Sequence, residues 1–236
     1  MNYNKQIWPK KIPELTEEQE KIREDFMIFW HQILPKKFSL IEKFNHKRAF
    51  KKTILKKKCR TLEIGAGIGE HINFENLNVQ DYYALELRKE MADKILEKFQ
   101  KVKVIIGDIQ KKIDFPDNFF DRVITVHVLE HLPYLPNALN EIKRVLAKDG
   151  FCDFVIPCEG SLAYFIARKI SAERIFKKKY HTSYKWFVKS EHVNNYNEII
   201  NELKRNGFNI SWKRFFPIPI PLSFCNLAVG LRCSIK

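Results

Sequence analysis

The chain has 236 residues, 45% of them apolar, enough for a sizeable core, and no run of 18 or more apolar residues, which argues against a membrane-spanning helix. Its five cysteines (Cys59, Cys152, Cys158, Cys225, Cys233) are odd in number, widely spaced and without a C-x-x-C pair. A disulfide framework or a cysteine zinc site is therefore not expected, and a reducing cytosol is. The net charge of +14 is uneven: 16 basic against 7 acidic residues over 1–60, 12 against 17 over 61–167, 8 against 1 over 168–189 and 6 against 3 over 190–236. This describes an acidic core with basic appendages, suited to an anionic acceptor, an acidic membrane surface or nucleic acid, or else a plain solvated surface.

In chain order, MNYNKQIWPKK lacks the apolar run of a secretory signal, and residues 1–57 read as a helical extension. Thr16 and Gln19 have the spacing of a capping box. Ile22, Phe26, Phe29, Trp30 and Ile33 then recur at helical spacing, and Pro35 is expected to end that helix. Ser39 is expected to cap a second helix, with Leu40, Ile41, Phe44, Phe50 and Ile54 as its apolar positions. From residue 60 strands and helices alternate. Strands are expected at 60–64, 82–86, 102–106, 120–126 and 151–156, with helices near 89–99 and 135–147. The alternation predicts a domain over 58–236 of Rossmann-like α/β type, a doubly wound, mostly parallel sheet with its ligand at the carboxyl ends of the strands. Residues 158–190 break the rhythm as an insertion after the fifth strand, on the acceptor side. A helix over 191–206, closed by Gly207, and strands near 209–216 and 226–234 complete seven strands, with an antiparallel strand at the C-terminus. Pro217, Pro219 and Pro221 forbid a central strand between the last two.

The most informative stretch is Leu62-Glu-Ile-Gly-Ala-Gly-Ile-Gly69, a strand running into glycines 65, 67 and 69. Glycine allows a sharp turn and close approach of backbone to a ligand. The spacing is G-x-G-x-G, one residue short of the dinucleotide fingerprint, and no Gly-Lys-Ser/Thr follows to make a P-loop. Glu86 ends the second strand, where a carboxylate can accept from both ribose hydroxyls of an adenosine ligand or simply be a solvated strand end. Gly107-Asp108-Ile109 ends the third strand; Asp108 suits an adenine amino group, or caps the next turn. The fourth strand leads through Val126-His127 into Val-Leu-Glu-His-Leu-Pro133.

These four segments together resemble the class I S-adenosylmethionine-dependent methyltransferases, and more narrowly the subgroup called type 11, over roughly residues 58–157. The resemblance implies S-adenosyl-L-methionine as cofactor. It implies that Glu63 and the turn Gly65, Ala66, Gly67, Gly69 hold the methionine portion, Glu86 with Leu87 the ribose, and Asp108 with Ile109 the adenine. Val126 and His127 would border the sulfonium, although His127 departs from the polar residue usual there.

Methyl transfer needs alignment and exclusion of water rather than a metal, and no cluster at ligand spacing suggests one. A hydroxyl acceptor calls for a general base, for which His127, His131, His181 and His192 are candidates; His131 reads equally as a structural histidine. Lys177-Lys-Lys-Tyr-His-Thr-Ser-Tyr-Lys-Trp186 mixes cations with aromatics, which suits a sugar, phosphate or nucleotide or a helix with one buried aromatic side. The 157–164 segment, Ser190-Glu-His-Val-Asn194 and the Phe-Pro-rich tail resemble methyltransferases of bacterial surface-polysaccharide pathways. The leading expectation is O-methylation of a small molecule, sugar or glycan intermediate, in the cytoplasm or at the inner face of the membrane, with peripheral membrane contact. The alternatives are a lipid or quinone-like acceptor, and a basic nucleic-acid-binding protein. Against the last, no Asn-Pro-Pro-Tyr or Asp-Pro-Pro-Tyr motif follows the fourth strand.

Overall fold

In the computed structural model, which describes residues 8–235, seven strands form one mixed sheet in the order β3-β2-β1-β4-β5-β7-β6. They are β1 (Cys59–Ile64), β2 (Gln80–Glu86), β3 (Val102–Ile106), β4 (Phe120–Val126), β5 (Leu146–Pro157), β6 (Phe208–Phe216) and β7 (Ala228–Ile235). The first five pair in parallel, and β7 runs antiparallel between β5 and β6. The strand order reverses beside β1. The carboxyl ends of β1, β2, β3 and β4, and the turns that leave them, therefore meet along one edge, the position where open sheets of this kind bind ligands. The expected seven-stranded sheet with an antiparallel C-terminal strand is what the chain forms.

Local sequence accounts for most of the framework. Helix α4 (Leu135–Val145) buries Leu135, Ala138, Leu139, Ile142 and Val145, one stripe at helical spacing, against the sheet. Helix α3 is Lys89–Lys98. Helix α8 (Tyr196–Arg205) opens on a reciprocal capping box between Asn195 and Glu198. Helix α1 (Glu17–Lys37) opens on the expected one between Thr16 and Gln19.

The N-terminal third departs from expectation in two places. Pro35 does not end α1: it lies in the last turn, and the helix closes two residues later as Phe38 N–H donates to Leu34 O at 2.9 Å. A proline so near the C-terminus forfeits one bond without stopping the turn. Ser39 does not cap a long second helix. It is the first residue of the short α2 (Ser39–Lys43), which widens into a π turn over Phe44–Arg48. Tertiary packing overrides the helical pattern here, since Phe44 and Ala49 are buried against Val155 and Ala228, and Phe44 stacks on Phe216 at 5.0 Å. Ile54, expected on that helix, is 99% exposed.

After Ala49 the chain lies across β7. A Cβ on Gly230 would stand 1.9 Å from Ala49 O, so only glycine allows the crossing. Arg232 of β7 donates to Lys51 O and, beneath it, to both carboxylate oxygens of Asp153, which also receives Arg122. Three helices form the insertion: α5 (Leu162–Ile170), α6 (Ala172–Tyr180) and α7 (Tyr184–Glu191). The last two of these, α6 and α7, pack on α1. Phe26 of α1 meets Phe176 and Phe187 edge-on at 5.0 and 5.1 Å. Asp25 accepts from Tyr180 and pairs with Lys179 at 2.8 Å. In space, α1, α6 and α7 form one aromatic-cored cap, although residues 38–171 separate α1 from α6 in the chain. Residues 1–7, part of the expected N-terminal extension, lie outside the described residues. Among the described residues no helix is long and apolar enough to cross a membrane.

Candidate functional site

The glycine turn after β1 is shaped by backbone alone. Gly65, Gly67 and Gly69 all have positive φ, at 65°, 58° and 83°. A Cβ on Gly65 would stand 2.5 Å from Val128 Cγ2, so the turn after β4 packs directly on the turn after β1. Gly65 N–H donates to Leu85 O at 2.8 Å, tying that turn to the end of β2.

Glu86 completes the cradle. Its Oε2 accepts from Gly67 N–H at 2.9 Å and its Oε1 from Arg88 N–H at 3.0 Å, leaving the carboxylate almost fully buried at the sheet edge. Gly107 N–H donates to Glu86 O at 3.0 Å, which brings the end of β3 alongside. Asp108 there accepts from Gln110 N–H and from its side-chain amide through Oδ1, a turn-capping role the sequence left open. Ile109 points into the main core, so only its backbone faces the edge. Leu87, beside Glu86, is exposed. Ala66 is buried, and Glu63 lies within the sheet, accepting from Tyr82 OH at 3.0 Å; burial pushes the Glu63 carboxyl up to about 8.

Past Val126 the backbone turns left-handed at His127, φ 54°, and His127 N–H donates to Val155 O at 2.9 Å. The side chain folds back so that Nδ1 lies 3.0 Å from Glu130 Oε1. A carboxylate accepts, so Nδ1 carries a proton, and Nε2 is the ring nitrogen left facing outward from that bond. Neither that Nε2 nor Glu130 Oε2 has a hydrogen-bond partner among the described residues, and an unpartnered buried polar atom is costly unless a ligand meets it. Burial works to raise the Glu130 carboxyl, but the hydrogen bond from His127 and the charges of His127, His131 and His192 outweigh it and hold it below the usual range.

Four further side chains complete the cluster. His131 Nδ1 lies 2.6 Å from Glu191 O; a carbonyl can only accept, so the proton sits on Nδ1. Burial lowers its pKa below the ordinary histidine value. The His192 ring meets it edge-on at 5.0 Å. For His192 burial acts the same way, but the bond to Glu159 at 2.8 Å and the carboxylates Glu130 and Glu191 prevail and raise it. Arg168 of α5 holds the other oxygen of Glu159 at 2.6 Å.

Of the four base candidates, then, His127, His131 and His192 come together at the junction of cradle and cap. His181 does not: it ends α6, exposed, at φ 53°. The aromatic residues of 177–186 are likewise committed elsewhere, since Tyr180, Tyr184 and Trp186 pack into the cap with Phe26 and Phe176. Sequence reading missed Glu130 and Arg168. Glu130 stands three residues after His127, a spacing that brings two side chains together in a tight turn; Arg168 carries no signal short of the fold. Among the described residues no group of histidine, cysteine and carboxylate side chains could hold a metal ion.

Residues 62–154 match the family model of the methyltransferase domain. An uncharacterised protein of Methanocaldococcus jannaschii is 32% identical over 124 residues, 52% of this chain and 48% of that protein. A sterol 24-C-methyltransferase of Gibberella zeae is 32% identical over 103 residues, 41% of this chain and 27% of that one. The matches thus span about half and about a quarter of those relatives' lengths. Among solved structures, a methyltransferase of Thermotoga maritima described as a possible histamine N-methyltransferase superposes with TM-score 0.61 at 20% identity, over 92% of this chain and 99% of that one. A TehB-like methyltransferase of Corynebacterium glutamicum does so with TM-score 0.62 at 13% identity, over 92% and 100%. At such identities the likeness is one of fold.

Proposed function

We propose that this chain, whose residues 62–154 match the methyltransferase-domain family model, transfers a methyl group from S-adenosyl-L-methionine to a hydroxyl of a small molecule, sugar or glycan intermediate. The observation that carries the reading is the Glu86 carboxylate, bonded to Gly67 N–H inside a turn of three positive-φ glycines at the sheet edge. The residues present fit the cofactor. The turn leaves backbone open to a ligand, the carboxylates Glu86 and Asp108 end adjacent strands, and the chain from 61 to 167 is acidic, as a sulfonium cation prefers. When bound, the cofactor supplies a methyl group already activated on sulfur.

The chain's own work is to hold and align. In this reading Gly65, Ala66, Gly67 and Gly69, with Glu63 behind them, seat the methionine portion; Glu86 and Leu87 seat the ribose; Asp108 and the Ile109 backbone seat the adenine. Val126 and His127 border the reacting edge. His127, with Nδ1 held by buried Glu130 and Nε2 facing outward from that bond, takes the acceptor's proton. His131 and His192 line the acceptor side, where His192 in its Glu159–Arg168 brace suits an anionic group. The cytoplasmic side of the membrane and a surface-polysaccharide pathway form the setting we propose for this reaction. A lipid or quinone-like acceptor is the second reading, favoured by the partial sterol methyltransferase relatives and by the apolar 217–224 stretch.

Calorimetry with S-adenosylhomocysteine tests the assignment. The wild-type chain should bind it, and Glu86→Ala should weaken that binding by ~1–3 kcal/mol, the scale of a lost charge-assisted hydrogen bond. No binding by folded wild-type protein, or unchanged affinity in the variant, refutes the reading.

A further inference from the structure

Helix α5 is turned the wrong way round for a helix of a water-soluble surface. None of its residues is buried. Leu162, Phe165, Ile166 and Ile170, at helical spacing and so on one face, are each about half exposed or more, with Ile170 at 68%. Its other side carries Tyr164 and Arg168. The Arg168 guanidinium binds Glu159, and through it His192, while the Tyr164 ring lies 6.4 Å from that histidine. Polar groups thus face the candidate acceptor site and apolar ones face water, the reverse of the usual amphipathic arrangement.

A second apolar segment adjoins it. The turn Ser223–Cys225 packs against α5, and Ser161, which caps α5, donates to Asn226 O at 3.1 Å. There Ile220, Leu222 and Phe224 are 50%, 58% and 64% exposed. This loop is held in shape. Asn226, fully buried, accepts from Ile218 N–H at 2.8 Å and donates to Leu222 O at 2.8 Å and Ile220 O at 3.2 Å. With its polar backbone tied inward to one side chain, the loop presents apolar side chains outward at little further cost in entropy. Contiguous exposed apolar surface of this kind marks a binding face.

Charge says what it faces. Lys169 stands beside Phe165 on α5, its Nζ 5.6 Å from the ring centre. Helix α6, packed against α5, exposes Arg174, Lys177, Lys178 and Lys179. Residues 168–189 hold eight basic side chains to one acidic. An apolar helix face and apolar loop, rimmed by cations, match the requirements for lying in the headgroup boundary of a bilayer with anionic lipids.

We propose that α5 and the 217–224 loop together form a membrane-docking face, which seats the protein on an anionic lipid surface with the Glu159–His192 side of α5 turned away from the bilayer toward the acceptor site. The proposal goes beyond the methyl-transfer reading and stands whether or not that reading does.

Flotation of the full chain with vesicles tests it, using phosphatidylcholine alone and a mixture of phosphatidylcholine with phosphatidylglycerol. Binding is expected to the mixed vesicles, to weaken as salt rises, and to fall about tenfold or more in Ile166→Glu and in Phe224→Glu, each of which puts a charge at the boundary. Lys178→Glu should weaken it less. Because these side chains are exposed, the variants should keep the wild-type melting temperature; S-adenosylhomocysteine affinity, measured separately, reports on the cofactor reading. Absence of binding to the mixed vesicles overturns the proposal. So does binding that the two glutamate variants leave unchanged. A concentration-dependent dimer in ultracentrifugation that both variants abolish, without vesicle binding, would instead identify the face as a contact between two copies of the chain.

Discussion

The cradle and the cap meet at His127, His131 and His192, yet they are built by opposite means. In the cradle, backbone does the positioning: three positive-φ glycines, a carboxylate held by two amide N–H groups, and strand ends fixed by parallel pairing. In the cap, side chains do it, with Phe26 surrounded by Phe176, Tyr184 and Phe187 and no sheet to impose order. The contrast teaches where change is tolerated. A backbone cradle demands particular residues at particular positions, whereas an aromatic cluster demands only volume and shape, so the cap should accept substitutions that the cradle does not.

The largest effect should come from the cap. Phe26→Ala removes a ring at the centre of that cluster and should cost about 3–5 kcal/mol, the scale of a truncated core aromatic. Thermal or denaturant unfolding measures it. In the fraction that remains folded, S-adenosylhomocysteine affinity should be unchanged; a parallel loss of affinity would break the division between the two regions.

The junction comes next. His127→Gln should lower kcat about a hundredfold or more, the usual contribution of a positioned base, with cofactor affinity intact. A variant with full turnover would move the proton acceptor to His192 or to the acceptor itself.

The smallest effect sharpens the cradle side. Glu63 is buried and its carboxyl is pushed up to about 8. A folded-state value raised above the unfolded one means that the stability it permits is complete below about pH 4.5 and is lost as pH rises toward 8. Glu63→Gln keeps an acceptor for Tyr82 OH and has no proton to lose, so it should stabilise the cofactor-free chain by ~1–3 kcal/mol at pH 8 and leave it nearly unchanged at pH 4. Melting curves of both proteins at the two pH values decide; equal melting temperatures at pH 8 would show that the carboxyl ionises without penalty.

The same contrast explains what the sequence disclosed. Strand periodicity, the glycine spacing and the strand-end carboxylates are local, so β1–β4, Glu86 and Asp108 were legible before any fold was known. The capping boxes at Thr16 and Asn195 are local too, and the first was read. What escaped was set at a distance. Phe44 left its helical pattern because Phe216 and Val155 lay waiting across the chain. Arg168 joined the site only because α5 folds back on Glu159. His181 had the right chemistry in the right segment and the wrong place, a distinction that only the turn after α6 makes. The aromatic run of 177–186 was ambiguous for the same reason, since its rings serve a helix from the other end of the chain.

The pairing of Asp25 with Tyr180, 155 positions apart, has a consequence for biosynthesis. Helix α1 leaves the ribosome well before its partners, which follow only after roughly 10–30 s of further elongation at ordinary rates. Through that interval Phe26 lacks Phe176, Tyr184 and Phe187, the rings that bury it in the folded chain. The helix is thus a stretch of nascent chain whose apolar face stays uncovered until the insertion has been made.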